Sequence, residues 1–174
     1  MKNLWVVLFL SILLLMTSAC NNSEKQKIII EAAVSELSEE EFEYVGTRGL
    51  DNPAIEDFRK FTFHVEVEHS PKAKRKVELP THNSWREAIN TIDNKDRYWF
   101  GDGYENNDSE NFAEYGEEFV FYSKGLNEEE IKKAFSSLVI SIHLETEKGE
   151  SMEREYKVGD IIQFNSNDSP KTVH

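Results

Sequence analysis

Cysteine is almost absent from this chain. The sequence of 174 residues contains one cysteine, Cys20, so no disulfide can form within a single chain. A domain built from the residues after Cys20 must therefore be held together by packing and hydrogen bonds alone.

Familiar catalytic and nucleotide-binding motifs are absent as well. The sequence contains no HExxH, GxSxG or SxxK pattern, no Walker loop and no GxGxxG. We therefore expect that the chain is not an enzyme. A small envelope hydrolase is the weaker alternative, since 33 acidic residues offer many carboxylate pairs without pointing to any particular one.

Basic residues are scarce. The chain has 20 Lys plus Arg against 33 Asp plus Glu, a formal net charge of −13. Such a charge argues against general affinity for nucleic acid or anionic lipid, both of which attract positively charged proteins. The composition instead favours cations and basic partners.

Only one long apolar run occurs, at residues 4–16, and it is interrupted by Ser11 alone. A helix that crosses a bilayer needs about 20 apolar residues, so this run is short for a permanent span. Lys2 precedes the run and the small residues 17–19 follow it, which is the arrangement of an export signal.

The sequence TSAC at residues 17–20 resembles the lipobox of bacterial lipoproteins, with Thr17 where that family usually has leucine. The resemblance implies that residues 1–19 are a cleaved signal peptide and that the Cys20 sulfur carries a diacylglyceryl group. Two acyl chains are a sufficient membrane anchor. We therefore expect a lipid-anchored protein on the extracytoplasmic face of the cell membrane.

The mature chain divides into three parts by composition. The polar composition of residues 20–26 predicts a lipidated tether, and that of residues 166–174 predicts a flexible tail. The 139 residues of 27–165 have the usual size of one domain. We expect them to form a single β-rich domain.

Period-two alternation of apolar and polar residues predicts most of the strands. The segment 61–69 is the clearest case, and we predict that residues 76–79 pair with it. A hairpin is predicted around the turn at residues 147–151. Further strands are predicted at residues 28–34, 97–101, 117–123 and 161–164, the last of them continuing the hairpin strand past a bend at Gly159.

Two short helices are predicted among these strands. Asn127 followed by Glu130 forms a capping box for a helix over residues 127–138. A second helix is predicted over residues 84–92, with Ser84 as its N-cap. The segment 38–45 fits either a helical turn or a strand.

Six to eight short strands with one or two connecting helices predict a mainly β protein, an immunoglobulin-like β-sandwich. This layout resembles the immunoglobulin-like modules of Gram-positive lipoproteins. The alternative is an α+β fold with an antiparallel sheet covered by helices on one face.

Residues 100–118 are predicted to be an acidic loop between two strands. Its oxygen-bearing side chains are of the kind that calcium prefers, namely Asp102, Asn106, Asp108 and Glu110. No register satisfies the EF-hand pattern, so the alternatives are a calcium site and a solvated loop. His64, Glu66 and Glu68 share one face of a predicted strand, so a surface metal site is a further hypothesis on the condition that His143 lies on a neighbouring strand. The alternative is a set of exposed polar residues on the solvated face of a sheet.

A short basic run interrupts the acidic chain at residues 71–78. Its four cations are Lys72, Lys74, Arg75 and Lys76. Such a run can contact anionic wall polymer or lipid headgroups near a membrane anchor, and the alternative is a solvated hairpin turn.

Together these features predict a lipid-anchored binding or accessory module of the cell envelope. Its partner would be an envelope protein or a wall polymer, with no nucleic acid and no cofactor other than calcium. The alternative function is a calcium- or other metal-binding surface lipoprotein that uses residues 102–110.

Overall fold

The structure, a computed structural model, describes residues 26–93 and 95–165. The predicted signal peptide, Cys20 and the predicted tail at 166–174 lie outside the described residues. Strands make up 45% of the described chain and helices 21%, so the protein is mainly β, as predicted.

Eight strands are present in the described residues: β1 (Lys27–Ser35), β2 (Phe58–Glu68), β3 (Lys74–Glu78), β4 (Tyr98–Asn106), β5 (Phe112–Tyr122), β6 (Val139–Glu145), β7 (Ser151–Lys157) and β8 (Ile162–Asn165). The helices are α1 (Glu39–Glu43), α2 (His82–Asn90), α3 (Glu128–Phe135) and α4 (Val158–Ile161), with a 3₁₀ turn at Ile55–Asp57. Only α2 and α3 are longer than about a turn and a half.

The strands form two sheets with the order of an immunoglobulin-like sandwich. The larger sheet has the order β4-β5-β2-β1-β8 and the smaller one β3-β6-β7. With β1 to β7 taken as strands A to G, these are the ABED and CFG sheets of constant-type domains. The added strand β8 lies parallel to β1. The predicted fold class is confirmed.

Alternating side chains of both sheets enclose the larger of two hydrophobic clusters in the described residues. Phe61, Phe63, Val65 and Val67 of β2 share this core with Ile140, Ile142 and Leu144 of β6 and with side chains of α2 and α3. The ring of Phe61 stacks on Phe135 of α3 at a centroid distance of 4.7 Å, and Trp85 of α2 lies 5.4 Å from Phe61. Aromatic packing thus links both helices to the larger sheet in a domain without a disulfide.

The predicted pairing of residues 76–79 with the strand at 61–69 is wrong. Strand β3 pairs with β6 in the smaller sheet, with Val77 opposite Ile142. Both edges of β2 are already occupied, by β1 and by β5. Residues 70–73 therefore carry the chain from one sheet to the other.

The helix predictions hold with one correction. Helix α3 begins after Asn127, whose side chain accepts from the Glu130 backbone in a complete capping box. Helix α2 begins earlier than predicted, because Thr81 is its N-cap and accepts from the Ser84 backbone N–H at 3.2 Å. The ambiguous segment after Ser38 is the helical turn α1.

The predicted hairpin is confirmed as β6 and β7, joined by a turn in which Gly149 has φ of +78°. We predicted that the final strand continues β7, and this prediction is wrong. Helix α4 intervenes and delivers β8 to the larger sheet, beside β1. Gly159 permits this crossing, since a Cβ there would lie 2.3 Å from the carbonyl oxygen of Lys132.

One buried guanidinium joins the region before β4 to the end of β5. Arg97 is 2% exposed and donates to both carboxylate oxygens of Asp93, at 2.8 and 2.7 Å. It also donates to the carbonyl oxygens of Tyr122 and Lys124, at 2.7 and 3.3 Å. Arg97 holds the pKa of the Asp93 carboxyl well below its usual range.

Candidate functional site

A recess lies where the segment preceding α2 meets strands β4 and β5. It encloses about 300 Å³. The residues that line it come from both sides of the gap and from the sheet beneath: Phe63, Leu79, Pro80, Trp85, Gly103, Tyr104, Glu105, Tyr115, Gly116 and Glu117. We refer to it below as the Glu117 recess.

The alternation of β5 places Glu117 in the recess. Tyr115, Glu117 and Phe119 occupy successive alternate positions of the strand, and all three are buried. Tyr115 and Phe119 belong to the hydrophobic core. A carboxylate that is 8% exposed therefore stands in a row of core side chains.

His82 covers one side of this carboxylate. Its Nδ1 lies 2.7 Å from Glu117 Oε1, and its Nε2 lies 3.3 Å from the hydroxyl oxygen of Tyr98. When Glu117 is ionised, Nδ1 must carry the proton and donate, and a neutral His82 then accepts from Tyr98 at Nε2. The side chain of His82 is 49% exposed, so this chain of three groups reaches solvent.

The other carboxylate oxygen lies beside a glycine. A Cβ added to Gly103 would stand 2.5 Å from Glu117 Oε2, so any larger residue at this position would displace the carboxylate. Within the described residues, Oε2 has no hydrogen-bond donor at bonding distance. The recess therefore contains a buried acceptor whose second oxygen is available to a ligand.

Burial raises the pKa of the Glu117 carboxyl above its ordinary value. The hydrogen bond and charge of His82 act in the opposite direction, and the nearby charge of Asp102 adds to the increase. The charged form of Glu117 is therefore less stable here than in water.

Replacement of Glu117 by Gln is expected to change how stability depends on pH. The wild-type carboxyl binds its proton more tightly in the folded state, so its contribution to stability is fully present below the unfolded pKa and is lost as the pH rises through the higher folded pKa. Urea unfolding at a series of pH values above 4.5 should show the wild type losing stability relative to Glu117→Gln.

Glu118→Gln is the matched control, because Glu118 is exposed and lies on the opposite face of the same strand. This variant removes a carboxylate from the same strand without touching the recess, so a pH-dependent change is assigned to Glu117 where Glu117→Gln differs from it. A constant difference between Glu117→Gln and the wild type would contradict the raised pKa.

The four predicted calcium ligands are not brought together around one point. Asp102 and Asn106 lie within β4, four residues apart and hence about 13 Å apart along the strand. Asp108 and Glu110 lie in the connection to β5, so most of the predicted loop is in fact strand. Among the residues described, no three His, Cys, Asp or Glu side chains are placed to hold a metal ion. Calcium binding stays a prediction.

The basic run has a structural role that the sequence did not indicate. Arg75 donates from Nη2 to Asn107 Oδ1 at 2.7 Å and to the Ser109 carbonyl oxygen at 3.2 Å. Its Nη1 donates to Nε2 of the buried His69 at 2.8 Å. A guanidinium thus already binds the loop in which we expected calcium ligands.

The three lysines of this run lie close to acidic side chains. Their Nζ atoms are 3.0 Å from Glu147 for Lys72, 3.9 Å from Glu145 for Lys74 and 2.6 Å from Glu78 for Lys76. These carboxylates reduce the positive field that an anionic surface would meet. Contact of the run with wall polymer or lipid stays a prediction.

The conditional histidine site is wrong. His64 lies on β2 of the larger sheet and His143 on β6 of the smaller sheet, so they are not on neighbouring strands. His64 Nδ1 is instead 3.1 Å from the hydroxyl of Tyr104, which donates to Glu114 at 3.2 Å.

Sequence reasoning missed both principal residues of the Glu117 recess. One local signal for Glu117 existed, since period two places it on the same face as Phe119 and Phe121. No local signal existed for His82, which is 35 residues away along the chain.

Comparison with protein-family models gives no match for this chain, and comparison with curated proteins gives none either. In the described part of the chain, no helix is long and apolar enough to cross a membrane.

Proposed function

We propose that this chain is a lipid-anchored binding module of the bacterial cell envelope, with the Glu117 recess as its ligand site. The observation that carries the proposal is a buried carboxylate lining the recess, with one oxygen paired to His82 and the other without a donor among the described residues. Burial of an ionisable group without full pairing costs free energy, and such groups concentrate at functional sites.

The composition of the recess favours binding over covalent catalysis. No serine, threonine, cysteine or lysine is among its described lining residues. Nucleophilic catalysis by one of these side chains, activated by a neighbouring base, therefore has no candidate there. Aromatic and aliphatic walls with a few polar groups, here the carboxylates of Glu117 and Glu105, are typical of a binding pocket.

The proposed mechanism is localisation. A lipid on Cys20 and the tether at 20–26 would hold the acidic domain close to the outer surface of the membrane. Confinement to this surface raises the effective concentration of the recess toward envelope partners. The lysines of the basic run would then face wall polymer or headgroups near the anchor.

Replacement of Cys20 by Ser is expected to abolish lipid attachment, because only the thiol can form the thioether. Mass spectrometry of the wild-type protein should find a mature chain that begins at a diacylglyceryl-modified Cys20. The variant should lack this mass and lose its retention in the membrane fraction. Asn21→Ser is the control that changes the adjacent residue and keeps the thiol.

An unmodified wild-type amino terminus at Met1, or full membrane retention of Cys20→Ser, would contradict the anchor. Neither result would bear on the recess, which is tested separately.

The binding function is tested by photocrosslinking in intact cells of the native host. A photoreactive amino acid at position 105 stands on the rim of the recess, and one at position 148 stands in the exposed turn between β6 and β7. We expect mass spectrometry to find a specific adduct from position 105, reduced by Glu117→Gln, and none from position 148. Absence of adducts at 105, or equal adducts at both positions, would refute the proposal.

A further inference from the structure

We infer that the Glu117 recess binds an alkylammonium group, either of a free amine or of a lysine side chain. This inference rests on the proposed binding function and adds the chemical class of the ligand. The charge at the floor of the recess, its walls and its size all favour this class of ligand.

The recess carries negative charge, and one carboxylate oxygen in it lacks a donor. Oε1 of Glu117 already accepts from His82, whereas Oε2 lies beside Gly103 without a donor among the described residues. Glu105 is exposed on the rim, and Asp102 is close enough to affect Glu117 electrostatically. A cation with N–H donors satisfies this oxygen, whereas an anion in the recess would meet the carboxylates of Glu117 and Glu105.

The walls suit an organic cation better than a metal ion. Phe63, Trp85 and Tyr115 are buried and offer aromatic surface, and Leu79 and Pro80 complete the apolar side. Ammonium groups are attracted to the faces of aromatic rings, and their alkyl chains gain from apolar contact. A divalent ion needs several convergent oxygen ligands, which the described residues do not provide.

The size of the recess limits the ligand. A volume of about 300 Å³ is at the lower end for small-molecule sites. It fits a short alkyl chain that carries one ammonium head. A lysine side chain and a small free amine share this chemistry, so the test includes a probe for each.

The test is calorimetric titration of the full chain in detergent with three probes. The probes are butylammonium chloride, Nα-acetyl-lysine amide and the neutral butanol. We expect binding of an ammonium probe that weakens as salt is added, and no comparable binding of butanol. Tighter binding of the lysine amide assigns the site to a polypeptide lysine, and binding of butylammonium alone assigns it to a free amine.

Three variants connect the binding to the geometry. Glu117→Gln should lower the affinity about 30-fold, since loss of one partner of a buried charge pair has an effect of at least this size. Gly103→Ala keeps the charge but fills the space beside Oε2, and should also weaken binding. Glu118→Gln, on the opposite face, should leave the affinity unchanged.

Equal binding of butanol, unchanged affinity of Glu117→Gln, or no binding of either ammonium probe would overturn the ligand assignment. Failure of the binding function itself has a different signature, because the adduct at position 105 would then be absent from cells. An adduct at 105 together with no ammonium binding leaves the binding module standing and refutes only the ligand class.

Discussion

Replacement of Phe61 by alanine is expected to lower the free energy of unfolding by about 4 kcal/mol, the usual range for a buried aromatic being about 3–5 kcal/mol. Phe61 is fully buried. Its ring packs against three other rings. The centroid distances are 4.9 Å to Phe119 of the same sheet, 4.7 Å to the stacked ring of Phe135 and 5.4 Å to Trp85. The variant removes the ring that joins β2 to both α2 and α3.

The rings of Trp85, Phe119 and Phe135 line the cavity that results, and the loss is largest if these rings do not move to fill it. Urea unfolding followed by circular dichroism measures the effect, and an unchanged m-value would show that the unfolded state is unaltered. Phe100→Ala is the control, since Phe100 is 43% exposed and should cost about 1 kcal/mol. A loss below about 1 kcal/mol for Phe61→Ala would contradict the described core.

Replacement of Arg97 by alanine is expected to cost about 3 kcal/mol, an effect that no surface arginine should match. The variant leaves the carbonyl oxygens of Tyr122 and Lys124 without this donor and removes the paired cation of Asp93. Both bonds are partly buried, so the two carbonyl oxygens cannot exchange the lost donor for water at no cost. Thermal and urea unfolding measure the loss.

Two comparisons make the Arg97 prediction specific. Arg48→Ala, at an exposed arginine, should change stability by no more than about 0.5 kcal/mol. Arg97→Lys keeps the charge but lacks the planar guanidinium, so its loss of stability should lie between those of Arg48→Ala and Arg97→Ala. Equal stability of Arg97→Ala and Arg48→Ala would show that the guanidinium does not hold this region.

The ion pair of Arg97 and Asp93 also affects how the stability depends on pH in acid. Arg97 lowers the folded pKa of Asp93, so this contribution to stability is present above the unfolded pKa of 3.8 and is lost as the pH falls toward the lower folded value. The stability that is lost on acidification should therefore be smaller in Arg97→Ala than in the wild type.

The local parts of the fold could be predicted because their causes are local. The capping box of Asn127 and Glu130 lies within four residues, and the hairpin of β6 and β7 is closed by a five-residue turn. Alternation along β2 also indicated which side chains would be buried. Each of these features is determined by neighbours in the chain.

The pairing of β3 could not be predicted in the same way. The alternation of β3 fits a strand of either sheet. Pairing with β2 is excluded only because β1 and β5 occupy both edges of β2. The same limit applies to Arg75, whose partners Asn107 and Ser109 are more than 30 residues away.

By itself, the sequence determined the charge, the strand periodicity and the helix caps, because composition and short-range spacing are sufficient for these. Only the tertiary structure decided that Glu117 would meet His82 across 35 residues and that Gly103 would leave its second oxygen open. The physical reason is that a recess is a property of surfaces brought together by sheet order and helix packing, and no local pattern encodes which surfaces will meet.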